Sequence, residues 1–275
     1  MAFAGFELPN GFVNHGAMAC EALATLGFEQ ELDDWARRYA NAGGQSVEPL
    51  VSSSFDWRDA LGDYRALPER VGHFELAIEE DGWPCVVGTW APRLLPALAT
   101  ALFHGAIRTG HAVRALSSAD TTARRKELAR ALGYWAARSR PGQAAGPPPE
   151  VADVTAAIVA EAANAAGYYV AGPNIFHLHG VTGAMAVELL AAHISVEAAA
   201  AGLAQVQAEH AALYAGARKA LAGEVAGVPG PELAKEAEAS RDPHQVKLVE
   251  ACRRGAQLNG DPIFAAAAET VTGMS

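Results

Sequence analysis

The sequence predicts an all-α protein, a single-domain multi-helix bundle covering residues 1–275. Three observations carry that prediction. Apolar residues recur mostly at three- and four-residue spacing, alanine is abundant, and alternating runs of β-branched residues are few.

Taken in order, Asn14 is a candidate cap for a helix running to about Leu26, with Gly27 as its stop, and ELDDWARRYAN continues the pattern. The region 43–88 has only short periodic pieces, among them DWRDALG and RVGHFELAIEEDG, and reads as loosely structured. Pro92 sits where a long helix to about Leu116 would begin, since a proline is tolerated in a first turn. Ser118 or Asp120 is the candidate cap for TTARRKELARALGYWAARS. No helix can cross the Pro/Gly-rich stretch SRPGQAAGPPPE at 139–150, which reads as a surface connection rather than a domain boundary. Further helices are expected near 151–166, 180–195, 198–224, 231–239, 243–257 and 261–271. No period of the length used by solenoids repeats.

Composition narrows the function. Hydrophobic residues make up 51% and charged residues 19%, proportions of a chain that folds around a core. A net charge of −10 and a pI near 5.4 argue against nucleic acid and against anionic membrane surfaces, both of which require clustered Lys and Arg. Three cysteines without CxxC spacing indicate neither a disulfide framework nor a thiolate zinc site, so a reducing cytoplasm is expected. The N-terminus lacks a basic and apolar leader pattern, and LLPALATALF is too short to span a membrane, so neither a cleaved signal nor a membrane partner is expected.

The chemistry-bearing candidates are histidines. His104 and His111 are seven apart on one predicted helix, which puts them on one face with Arg108 one turn from each. Their Cα atoms lie about 10 Å apart along such a helix, so the rings would have to lean to share an ion; the spacing permits this and equally permits core histidines bonded to carbonyls. Arg108 is open to an ion pair with an acidic residue. In NIFHLHGVTGAMAVELL, His177 and His179 point in different directions, so one of them at most faces a given site, and Thr182 is a candidate cap. In DPHQVKLVEACRRG, Asp242 caps a helix, Pro243 takes its first position, and His244 and Lys247 are neighbours three apart. His15 follows Asn14 among apolar neighbours. Nucleophile-elbow, phosphate-loop, HExxH and dinucleotide motifs are missing from the sequence.

The blocks NHGAMACEALATLG, LLPALATALFHGAIRTGHAVRAL with ELARALGYWA, FHLHGVTGA, and DPHQVKLVEACRRG with DPIFAAAAE, taken in order, resemble the questin oxidase-like family over residues 14–269. The resemblance implies a helical bundle with a metal site in its core. It implies an oxygenase that opens an anthraquinone-like ring of an aromatic polyketide with O2, by Baeyer–Villiger-type or dioxygenase-type oxidation. It also implies a mononuclear non-haem Fe(II) held by four histidines and a carboxylated lysine. Carried onto this chain, the ligands are His15, His104, His111, His179 and Lys247. At such a site Arg108 is the candidate catalytic group, polarising a ring carbonyl or pairing with a phenolate, and Trp90, Tyr134, Trp135 and His177 are candidate substrate contacts. NADPH is the candidate reductant and a homodimer the candidate assembly. Two competing readings are a metal-independent NADPH-linked oxidase and a helical protein that binds a hydrophobic metabolite without catalysis.

Overall fold

The computed structural model describes residues 5–40, 42, 44, 46–51, 56, 61–221 and 227–273. These form α1 Gly16–Leu26, α2 Leu32–Ala40, α3 Leu67–Asp81, α4 Trp83–Leu94, α5 His104–Ser118, α6 Thr122–Arg138, α7 Val154–Ala171, α8 Ile175–Ala191, α9 Val196–Leu213, α10 Pro231–Ala239, α11 Pro243–Asn259 and α12 Ile263–Thr272. Among the described residues there is no strand beyond an isolated antiparallel bridge, Glu7 to Val13. None of these helices is long and apolar enough to cross a membrane.

Helix α8 is the axis of the bundle and packs against α5, α7, α9 and α11. Its run from Leu178 to Glu188 is buried on every side, as expected of a helix that is apolar all round. Around it, α5 pairs with α6, α6 with α3, α1 with α5 and α11, and α12 with α7 and α11. One continuous cluster of buried apolar side chains runs from Phe6 through Trp35, Trp135 and Leu190 to Val271.

Local signals explain several boundaries. Gly27, at φ +93°, ends α1 in the left-handed conformation that only glycine adopts freely. Asp242 accepts from the His244 N–H and Pro243 opens α11. The stretch 139–150 contains no helix.

Other expectations are corrected. The region 43–88 is not uniformly loose, because α3 fills Leu67–Asp81 and α4 begins at Trp83; residues 43, 45, 52–55 and 57–60 lie outside the described set. The long helix from Pro92 is in fact two. Proline occupies the last turn of α4, and after a 3-10 turn at Leu95–Ala97 the backbone goes left-handed at Ala101, Leu102 and Phe103 before α5 starts at His104. Thr121, not Ser118 or Asp120, caps α6 by accepting from the Arg124 N–H. Asn174, not Thr182, caps α8, which therefore begins five residues earlier than expected and contains both His177 and His179.

Candidate metal centre

Three helices begin at the same end of the bundle, and each brings a histidine in or beside its first turn. His15 is the residue before α1, His104 opens α5 and His244 is second in α11, while His179 lies one turn inside α8. Each of these four rings offers one nitrogen, and the four nitrogens lie within 4.8 Å of one another. The Nε2 atoms of His15 and His104 are 2.6 Å apart, and those of His104 and His179 are 3.2 Å apart. His244 closes the group, its ring centroid 4.4 Å from that of His15 and 5.3 Å from that of His179.

The tautomers follow from the other nitrogens. His104 Nδ1 lies 2.5 Å from the Ala101 carbonyl, His179 Nδ1 2.7 Å from the Ile175 carbonyl, and His244 Nδ1 3.2 Å from a carboxylate oxygen of Asp242. Carbonyl and carboxylate oxygens only accept, so each Nδ1 carries the proton and each neutral ring turns an Nε2 lone pair to the common point. His104 and His179 thus face each other lone pair to lone pair at 3.2 Å, an arrangement that repels unless a cation sits between them. Oxygen acceptors behind a ring are also the usual support of a metal-ligating imidazole.

Electrostatics keep the rings neutral. Burial is the main reason His15 and His179 sit well below the ordinary histidine range, and the nearby Lys247 charge adds to it. For His104 burial and Lys247 outweigh the Ala101 bond and push the value to about 3; His244 is lowered by burial in spite of Asp242. The N-terminal ends of three helices add positive potential that disfavours imidazolium.

Lys247 stands one turn beyond His244 on α11. It is 1% exposed, its Nζ has no hydrogen-bond partner among the described residues, and burial pulls its pKa to about 7. A buried amine without a partner is costly, and a ligand or a modification of the amine would relieve that cost.

Tertiary contacts set the backbone before His104. Phe103, at φ +64°, packs so tightly on α8 that a Cβ at Gly183 would lie 2.5 Å from its ring. Left-handed conformations at three successive non-glycine residues cost of order 1 kcal/mol each and persist where the surroundings impose them, often at functional sites.

The imidazole group opens into a cavity of about 1140 Å³ lined by His15, His104, His179 and His244 together with Tyr39, Tyr64 and Tyr134. Tyr134 is thus at the cavity, but its hydroxyl donates to Glu7, which Arg138 also clamps at 2.9 and 2.5 Å.

The remaining sequence candidates stand elsewhere. His111 is not in the imidazole group: two turns below His104, its Nδ1 lies 2.5 Å from Glu21, which also binds Arg114, and Arg114 in turn reaches Glu250. Arg108 is committed to Glu127 at 2.6 and 3.0 Å and lines a separate cavity of about 660 Å³ with His111, so it does not face the histidines that open on the larger one. Trp90 packs on His73 and Phe74, and Trp135 lies against Gly105, where a Cβ would come within 2.6 Å of it, with its indole N–H on the Ala97 carbonyl. His177 turns to the Gly172 carbonyl and to the Tyr214 ring. His244 is the residue the sequence argument passed over, although its place one turn before Lys247, behind an Asp-Pro cap, was the available signal.

Comparison with protein-family models, with curated proteins and with solved structures gives no match.

Proposed function

We propose that the chain is a mononuclear non-haem iron oxygenase of questin oxidase-like type that oxidises an aromatic polyketide quinone with O2. The observation that supports it most is the convergence of one ring nitrogen each from His15, His104, His179 and His244, within 4.8 Å of one another, in a buried pocket. Metal–imidazole bonds are about 2.1 Å, so donors around one ion stand roughly 3–4 Å apart, close to the spacings here. His244 replaces His111 in the ligand set implied by the resemblance.

The donor chemistry fits the ion. Neutral imidazoles suit Fe(II), and a carbamate on Lys247 would add the hard anionic oxygen that completes such sites. At a pKa of about 7 a large share of Lys247 is free amine at neutral pH, the form that reacts with CO2. Iron held by these five residues would supply dioxygen binding and activation.

The rest is work for the protein. The acceptors at Ala101, Ile175 and Asp242 hold the ring orientations. The large cavity admits a multi-ring substrate alongside them. In the ring-expanding outcome one oxygen atom enters beside a carbonyl and the other leaves as water, with NADPH as the reductant. A reducing cytoplasm suits the three free thiols.

The test is metal analysis of the purified protein, followed by oxygen uptake with a hydroxyanthraquinone and NADPH. We expect close to one iron per chain and uptake that stops when iron is chelated. Turnover by iron-free protein would overturn the proposal.

A further inference from the structure

Two exposed phenylalanines stand among the described residues, Phe12 at 68% and Phe176 at 57% exposure, and both line the cavity that the four histidines share. They come from unrelated parts of the chain, one from the segment before α1 and one from the first turn of α8, and half-exposed Ile175 adjoins them. Exposed aromatic surface gathered at one cavity marks a place where something binds.

Phe12 is held in place by its own loop. Leu8 N–H donates to the Phe12 carbonyl at 2.7 Å, Asn14 N–H to the Phe6 carbonyl at 2.8 Å, and Gly11 supplies the left-handed turn at φ +81°. The loop is pinned through Glu7 to Tyr134 and Arg138. Phe176 is fixed by the Asn174 cap, which accepts from the His177 N–H at 2.9 Å. Two rings on ordered backbone form a preformed grip, which lowers the entropic cost of binding.

Charge along the cavity is already matched except at one point. Glu7 is taken by Arg138 and Tyr134, and Asp63 by Arg65. Arg140 also lines the cavity, and its guanidinium has no carboxylate partner among the described residues.

We propose that Phe12 and Phe176 grip a planar aromatic ligand at the cavity mouth, with Arg140 taking an ionised oxygen of that ligand. This builds on the oxygenase proposal by naming the residues that select the substrate, and it can fail independently of it.

The experiment titrates the full chain with fluorescent anthracene-2-carboxylate and records metal content on the same samples. Phe12→Ala and Phe176→Ala should each raise Kd about 3- to 10-fold with metal content unchanged. Phe12→Leu should lose most of that affinity, and Phe12→Trp should restore it. Arg140→Gln should weaken the acid about 3-fold at low salt and leave its methyl ester unaffected. Both phenylalanines are exposed, so these variants leave the core intact.

Unchanged affinity in the alanine variants would overturn the proposal. So would dodecanoate binding as tightly with the same losses, which would mean a general apolar surface. A change in oligomeric state in place of a change in Kd would equally overturn it, because the patch would then be a protein interface. A metal-free protein that still grips the probe through these residues contradicts the iron assignment alone; a metal-loaded one that does not contradicts the grip alone.

Discussion

His104 and His111 lie on the same helix two turns apart, yet they belong to opposite kinds of site. His104 stands among three other imidazoles near the buried Lys247, whose amine has no hydrogen-bond partner among the described residues. His111 stands in an ion-paired cluster, where Glu21, Arg114 and Glu250 each have an opposite partner. Burial pushes the Glu21 carboxyl up, but hydrogen bonds from Arg114 and His111 outweigh it and hold it at about 2. The cluster joins α1, α5 and α11 by satisfied bonds, whereas at the imidazole end Lys247 is left without a hydrogen-bond partner among the described residues. Satisfied buried charge supports the fold; unsatisfied buried polarity at a cavity waits for a ligand.

The sharpest way to break this contrast is at His104, whose Nε2 touches two of the other rings. His104→Ala should lower iron affinity on the order of 100-fold or more, while the fold by circular dichroism is kept. Lys247→Met comes next. Replacing a partnerless buried amine with an apolar side chain should leave urea stability of the metal-free protein unchanged or about 1 kcal/mol higher, while iron affinity drops about 10- to 100-fold. A loss of stability there would make Lys247 a structural residue.

Glu21 tests the other region. Glu21→Ala leaves a buried arginine and histidine with fewer partners and should cost about 3 kcal/mol in urea unfolding, with metal content unchanged. Because the folded Glu21 value of about 2 lies below its ordinary 4.5, its stabilisation is full above pH 4.5 and fades as pH falls towards 2. Glu21→Gln should therefore flatten that part of the pH–stability curve, a smaller effect than the alanine variant at neutral pH.

The sequence reveals what is set locally. Gly230 and Pro231 open α10, Asp242 and Pro243 open α11, and Gly27 closes α1, so those boundaries follow from capping chemistry alone. The break before α5 does not, because the left-handed turn at 101–103 is imposed by Phe103 meeting Gly183, some 80 residues away in the chain. The same distinction governs the site. Helical spacing places His104 and His111 on one stripe but does not say what that stripe meets along its length. The family resemblance points to His15, His179 and Lys247; His244 carries a local signal in its place behind the Asp242 cap, and the approach of α11 to α1 brings it to the group. Phe12 and Phe176 carry no sequence signal, since their interest lies in being exposed at a cavity.

The most direct measurement compares metal stoichiometry in two single variants of the purified chain. Iron per chain should fall close to zero in His244→Ala and stay close to one in His111→Ala. Iron retained without His244, or lost without His111, would contradict the assignment of the four converging imidazoles as the metal centre.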